Sequence, residues 1–461
     1  MNDDWIEVEL GDILFTTSGG TPKRTNPEYY KGNIPWVKSG ELNYNTIRNT
    51  EEHISEEAIN NSSAKLFHRG TLLIALYGAT IGKLAILGIT AATNQAVCGI
   101  YENEKVETRF IYYYLFHKRQ DLINQGIGGA QPNISQTILK KLSVPICPLP
   151  EQRAIVVKIE ELFSELDNGV ASLNKAREQL EIYRQAVLRK AFNGELTKEW
   201  RKANSIGDMD NTISSSKSFN ELCYANWKYE SLSEVSDAIG GYAFKSSDFR
   251  KDNGEFQVIR IGNIRPGKLR INESPVYINN VDKSIISKYE LKFKDVIITL
   301  TGTRKKRDYG YTTIVNKARL LLNQRIAALR FNEKCLPEFF LYYSWTDIFK
   351  NQFFESETGN VGQGNVGMNA IRKSLIPLPT IEEQVQIVSQ VDEKLSVCDD
   401  IEKNLNKSLI ICDTLRQSIL KKAFEGKLLT ENEIVACKKD TDWEPVEILL
   451  EKIKNELRSV K

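Results

Sequence analysis

The sequence predicts an α+β chain built twice: two similar α/β modules joined by two long helices that pair as a coiled coil. Three observations predict it. RQAVLRKAFNGEL, from Arg184 to Leu196, returns as RQSILKKAFEGKL, from Arg416 to Leu428, a shift of 416 − 184 = 232. Self-similarity at a long period fixes the architecture before any other reading, and here it implies a pseudo-two-fold relation. The same shift aligns VPICPLPEQRAIV, from Val144 to Val156, with IPLPTIEEQVQIV, from Ile376 to Val388. Finally, both copies place apolar residues at alternating steps of three and four, the heptad seam of a coiled coil.

The first module spans residues 1–149. Gly and Pro punctuate short strands in SGGTPKRTNPEYYKGNIPWVKSGEL, from Ser18 to Leu42, and leave Lys23 and Arg24 on a loop, with Lys38 near the end of the segment. TLLIALYG, ending at Gly78, is strand-like and answers VIITLTG, ending at Gly302. YGATIGK, ending at Lys83, is a strand-connecting turn. A Walker loop needs four residues between its glycines and Ser or Thr after Lys, whereas Leu84 follows Lys83. Asn94-Gln95 answers Asn323-Gln324, and Phe110-Ile-Tyr-Tyr answers Phe340-Leu-Tyr-Tyr, with shifts of 229 and 230. GIGGAQPNIS, from Gly126, offers Gln131 and Asn133, either as turn residues or as partners for base edges.

The first long helix covers 150–194, begun by Pro and Glu and closed by Asn193-Gly194 as a glycine C-cap. Its seam is Ile159, Leu162, Leu166, Gly169, Leu173, Ala176, Leu180, Tyr183 and Val187. Residues 195–226 read as a flexible polar linker containing SSSKS. The second module, 227–379, holds GGYAFKSSDF with Lys245, VIRIGNIRPGK with Arg260, and TGTRKKRDYGY, which sets Arg304, Lys305, Lys306 and Arg307 beside Tyr309 and Tyr311. Arg and Lys can neutralise phosphates and an Arg fork can read guanine; a solvated basic hairpin is the alternative. GQGNVG, from Gly362, lacks a βαβ context and reads as a Gly/Asn-rich loop carrying Gln363 and Asn365. The second long helix covers 380–426, with seam residues Val391, Cys398, Ile401, Leu405, Ser408, Cys412, Leu415 and Ile419 and a polar intruder, Lys394. Each helix of roughly 43 residues would be about 65 Å long. The tail, 427–461, includes EPVEILLEKIKNELRSVK, a short amphipathic helix expected to pack on a partner or on the first module.

The net charge of +2 is uneven. Residues 227–379 carry 24 Lys+Arg against 16 Asp+Glu, a net of 24 − 16 = +8, while residues 1–149 carry 14 against 15. A basic module suits a polyanion. No apolar run is long enough for a membrane span and the start is no signal peptide, so a cytoplasmic protein is expected. Seven scattered cysteines without a CxxC pair argue against a disulfide framework or zinc site, and Cys398 and Cys412 read as small seam residues. His53, His68 and His117 have no ligand-like or triad-like spacing. No methylation motif, methyl-donor glycine motif, Walker pair or nucleophile with adjacent base is found, which favours a recognition subunit over an enzyme. A coiled-coil scaffold without DNA sequence specificity is the runner-up.

WIEVELGDI, GGTPKRTNPEYYKGNIPWVKSGEL, GATIGKLAI, PLPEQRAIVVKIEELFSELD, GGYAFKSSDF, GTRKKRDYG and the doubled RQAVLRKAF/RQSILKKAF resemble the DNA-specificity subunits of Type I restriction-modification enzymes over nearly the whole chain. The resemblance implies that each module is a target-recognition domain reading one half of a split, asymmetric duplex sequence. It implies that the long helices form an antiparallel coiled coil docking two methylation subunits, to which two restriction subunits are added. S-adenosylmethionine and ATP with magnesium are then expected in those partners and no cofactor in this chain, which itself catalyses neither methylation nor cleavage. Changing Arg304 or Arg307 to Ala is expected to weaken one half-site only, if these residues read bases.

Overall fold

The computed structural model describes residues 5–126, 133–204, 227–360 and 362–460. The chain divides into two compact units, Met1–Leu173 with Lys407–Lys461, and Asn174–Asn406. Both long helices pass from one unit to the other: α1 spans Leu149–Phe192 and α2 spans Ile381–Phe424. Each stops just before a glycine in the left-handed region, Gly194 (φ 77°) and Gly426 (φ 72°), where a side chain would be strained.

In the first unit a five-stranded sheet runs in the order Thr16–Ser18, Val97–Ile100, Leu72–Ala75, Leu84–Leu87, Asn45–Ile47. A four-stranded sheet, Glu52–Ile54, Ile34–Val37, Ala91–Thr93, Leu66–Phe67, lies in the same unit. The segment Ile6–Glu9 pairs antiparallel with Ser143–Ile146, tying the start of the module to the entry of α1. The core joins Phe110, Ile111 and Tyr114 to Ile155 and Ile159 at the start of α1 and to Leu420, Ala423 and Phe424 at the end of α2. The tail helix α3, Val446–Val460, buries Val446, Leu449, Leu450 and Ile453 in this core with Trp5 and Leu10. The amphipathic tail thus packs on the first module, as one of the two expectations had it.

The second unit repeats the scheme. Its main sheet runs Ser236–Gly240, Ile326–Phe331, Val296–Thr299, Thr312–Ile314, beside the three-stranded set Tyr277–Ile278, Phe256–Ile259, Leu320–Leu322. Lys228–Ser231 pairs with Leu375–Leu378 as Ile6–Glu9 does with its partner. Here the end of α1 (Val187, Leu188, Ala191, Phe192) packs with the start of α2 (Ile387, Val391, Leu395). In each unit, then, the start of one long helix meets the end of the other, which makes the pair antiparallel.

Three sequence expectations need correction. The seam holds at Ile159, Leu180, Val187, Val391 and Cys398, which are buried, and at Leu162, Leu166, Leu173, Leu405 and Ile419, which are half-buried. It fails at Tyr183, Ile401 and Leu415, which are 49, 43 and 45% exposed. Straight helix turns drift against a strict heptad, and the half-buried charged residues one place on, Arg184, Glu402 and Arg416, take the inward places. Arg184 pairs with Asp399 at 2.7 Å and Glu402 at 2.9 Å in the second unit, and Arg416 pairs with Asp167 in the first. The first described stretch of the supposed linker is not loose: Lys198–Ala203 is helical, with Arg201 buried. Finally, Gln363–Asn365 is a strand paired with Thr301–Thr303, since a Gly-rich segment next to a free edge gains ladder hydrogen bonds.

Candidate nucleic-acid interface

Equivalent hydrogen bonds set the two modules in register more firmly than the letters do. After a buried strand, Val37 and Ile259 accept from the backbone N–H of Asn94 (2.9 Å) and Asn323 (3.3 Å). One residue on, the N–H of Lys38 donates to Glu41 Oε1 at 2.8 Å, and that of Arg260 donates to Asn263 Oδ1 at 3.0 Å. Each closes a short 3-10 turn, Ser39–Glu41 and Ile261–Asn263. Leu76 N–H donates to Ala96 O at 2.8 Å and Leu300 N–H to Arg325 O at 2.9 Å. Ala96 and Arg325 therefore stand at the same place in the two folds. The paired glycines permit the crowding here: a Cβ on Gly241 would sit 1.9 Å from Asn323 O, and one on Gly19 2.1 Å from Thr93 Oγ1.

In the first module the candidate cations are mostly engaged. Arg24 donates to Glu52 at 2.7 Å and stacks 4.2 Å from the Tyr30 ring. Lys38 bridges Glu51 (2.7 Å) and Glu52 (3.1 Å). The Arg24 hydrogen bond, with Lys38 behind it, holds the Glu52 carboxyl below its usual range, and Glu52 in turn raises Arg24. Lys83 ends the turn between Leu72–Ala75 and Leu84–Leu87 and donates to Asn43 Oδ1 at 2.9 Å. The two strands it joins pair antiparallel, so the turn is a hairpin connection, with Gly78 and Gly82 at positive φ. Lys23 and Asn133 are exposed, and Gln131 lies outside the described residues.

The second module presents its candidates differently. Lys245, Lys305 and Lys306 are exposed. Arg304 bends back, its Nε donating to Glu357 at 3.4 Å and its Nη1 to Gly359 O at 3.3 Å. Arg307 (φ 46°) lies 4.8 Å from the Phe354 ring. Tyr309 is buried and bonded to Glu357; burial first, then that carboxylate, pushes its phenol up. Arg304 thus fastens the hairpin to the neighbouring strand pair. Asn365 accepts from Thr301 Oγ1 at 3.0 Å. Gln363 and Tyr311 line one open cleft with Arg265 and Arg325, and Arg260 lines an adjoining one with Asn323, Gln324 and Arg325. Arg265 and Arg325 escaped the sequence reading because neither belongs to a charge run or to a repeated string.

Among the described residues no group of His, Cys, Asp and Glu is placed to hold a metal ion, and no helix is long and apolar enough to cross a membrane. Described cysteines are unbridged, with Cys398 buried and Cys412 half-buried at the helix seam.

Residues 2–181 and 224–409, both modules with most of their helices, match the Type I restriction modification DNA specificity domain. The chain belongs to this family. Curated relatives include the Type I restriction enzyme EcoBI specificity subunit of Escherichia coli, 24% identical over 94% of this chain and 88% of its own length. Another is the MjaVIII specificity subunit of Methanocaldococcus jannaschii, 22% identical over 93% of this chain and 94% of its own. A solved structure described as the structural basis underlying complex assembly and conformational transition of the type I R-M system matches with TM-score 0.68 at 20% identity, covering 92% of this chain and 98% of that one. The HsdS subunit from Thermoanaerobacter tengcongensis matches with TM-score 0.53 at 19% identity, covering 93% and 98%. The chain is accordingly a Type I specificity subunit, a DNA-binding and non-catalytic component of such a system, with two target-recognition domains.

Proposed function

We propose that this specificity subunit reads a bipartite, asymmetric duplex target, one half with each target-recognition domain, and thereby directs adenine methylation and restriction by partner subunits. The observation that supports this reading is one framework with different side chains: the turns at 39–41 and 261–263 match in hydrogen bonding, while Lys38 and Ala96 are replaced at the equivalent places by Arg260 and Arg325. One framework carrying different side chains at equivalent places suits two different half-sequences, because base edges, unlike phosphates, carry the sequence information.

The long helices would dock two methylation subunits, and two restriction subunits would join them. S-adenosylmethionine would be bound by the methylation subunits, and ATP with magnesium by the restriction subunits. Single-molecule sequencing of genomic DNA from cells carrying this chain with its methylation subunits tests the reading. Methylated adenines should fall in a split motif with a fixed spacer and disappear on deletion of the chain. Methylation that persists after the deletion, or that never forms although the methylation subunits are expressed, would sink the proposal.

A further inference from the structure

The open clefts beside the second module's 3-10 turn share Ile261, Gly262 and one charged side chain, that of Arg325. Arg325 lines both of them, facing Arg260, Asn323 and Ser274 on one side and Gln363 and Asp308 on the other. Most arginines around it are committed to the fold: Arg330 holds Asp295 at 2.9 and 2.8 Å, Arg304 holds Glu357, and Arg265 donates to Ile264 O at 2.7 Å. Arg325 is exposed, and among the described residues its guanidinium has no hydrogen-bond or ion-pair partner. Two more polar atoms at the same cleft, Asn323 Oδ1 and Arg260 Nε, are buried without a partner among the described residues.

The backbone adds an independent sign. Arg325 sits at φ 68° and Ser274, across the cleft, at φ 46°, conformations that a glycine or asparagine would hold with less strain. Strain of this kind is kept where the surroundings fix a side chain for use. The cross-strand hydrogen bond from Leu300 N–H to Arg325 O at 2.9 Å does the fixing, and the same bond in the first module ends on Ala96, which is buried. The framework does not require an arginine there.

We infer that Arg325 is the residue through which the second recognition domain reads a guanine, its planar fork donating to O6 and N7 in the major groove, a reading that rests on the DNA-specificity role proposed above. A G·C pair fits the cleft's chemistry. The arginine supplies donors for guanine, and the Asp308 carboxylate on the cleft wall supplies an acceptor for the cytosine amino group, Glu273 being held by Arg270 at 3.0 Å.

The test uses the full chain assembled with its methylation subunits and a randomised duplex library sequenced after binding. Wild type should select a split motif with an obligatory guanine in one half. Arg325→Ala should lose preference at that one base pair by roughly 10- to 100-fold and keep every other position, including the whole of the other half-site. Arg325→Gln, nearly the same length and uncharged, should behave alike, and guards against a loss of assembly in the alanine variant. An unchanged motif would overturn the inference, as would an equal fall in affinity for all sequences, which marks a phosphate anchor. Failure of both variants to assemble would make Arg325 structural and overturn it too. Absence of any split motif with wild type would instead overturn the function on which it rests.

Discussion

The indole N–H of Trp227 donates to Glu383 Oε2 at 3.2 Å, and the same carboxylate accepts from Arg201 at 2.5 Å and from Thr197 Oγ1 at 2.7 Å through Oε1. The start of the second module, the first turn of α2 and the segment after α1 are thereby locked on one buried anion. Trp5 and Glu151 repeat the indole contact at 3.3 Å in the first unit. Side-chain exposures of 5% for Arg201 and 3% for Glu383 mean that either charge left alone would be stranded away from water. Glu383→Ala should therefore destabilise the second unit by about 3–5 kcal/mol. Chemical denaturation of the full chain measures this, and a loss below about 1 kcal/mol, the value of a surface pair, would show that water reaches the site.

Phe424 packs against Phe110 and Tyr114 at centroid distances of 5.2 and 5.0 Å, and Phe192 against Phe339 and Tyr343 at 5.2 Å each. Each aromatic plug joins the end of a long helix to a module. Phe424→Ala and Phe192→Ala should each cost about 3–5 kcal/mol. Hydrogen exchange should show the first unit loosened by one variant and the second by the other. Equal loosening of both units by either variant would mean that the plugs do not act locally.

Lys305 and Lys306 of the TGTRKKRDYGY hairpin are exposed and have no partner among the described residues, whereas Arg304 is turned onto Glu357. Substituting either lysine with Ala should weaken DNA binding by the assembled complex alike for all sequences and lower the slope of log K against log salt by about one. Arg304→Ala should act chiefly through the hairpin, raising its backbone exchange. A change in the recognised bases on replacing either lysine would make that lysine a reader and refute its role as an anchor.

The duplication was legible because the helical stretches repeat by letter and by period. Resolution was lost where letters and geometry part. Phe110-Ile-Tyr-Tyr matches Phe340-Leu-Tyr-Tyr by string, yet Tyr114 and Tyr343, not Tyr113 and Tyr343, donate to the equivalent carbonyls of Ser143 and Leu375. A helix tolerates a one-residue slip in spelling as long as its buried face is kept. Tyr183 and Leu415 misled for the same reason, apolar letters set one place outside the face that Arg184 and Arg416 occupy. Arg325 gave no sequence signal because its counterpart is Ala96, and a reader that must differ between two half-sites cannot repeat.

His117 stacks on Phe424 at 5.9 Å, and its Nδ1 is buried without a partner among the described residues. Burial, then the neighbouring Lys118, lowers its pKa from the ordinary 6.5, with Asp121 and Glu425 opposing. A histidine whose folded pKa is depressed is favoured neutral in the fold. Its contribution to stability is therefore fully present above the ordinary value and is lost as pH falls from there through the folded value, because the unfolded chain takes up the proton first. Thermal unfolding of wild type and His117→Gln, followed from about pH 8 down to about pH 5, should give a smaller acid-induced fall in Tm for the variant. Parallel curves would show that the unfolding pH dependence comes from the carboxylates alone, with the imidazole reaching solvent in the folded chain.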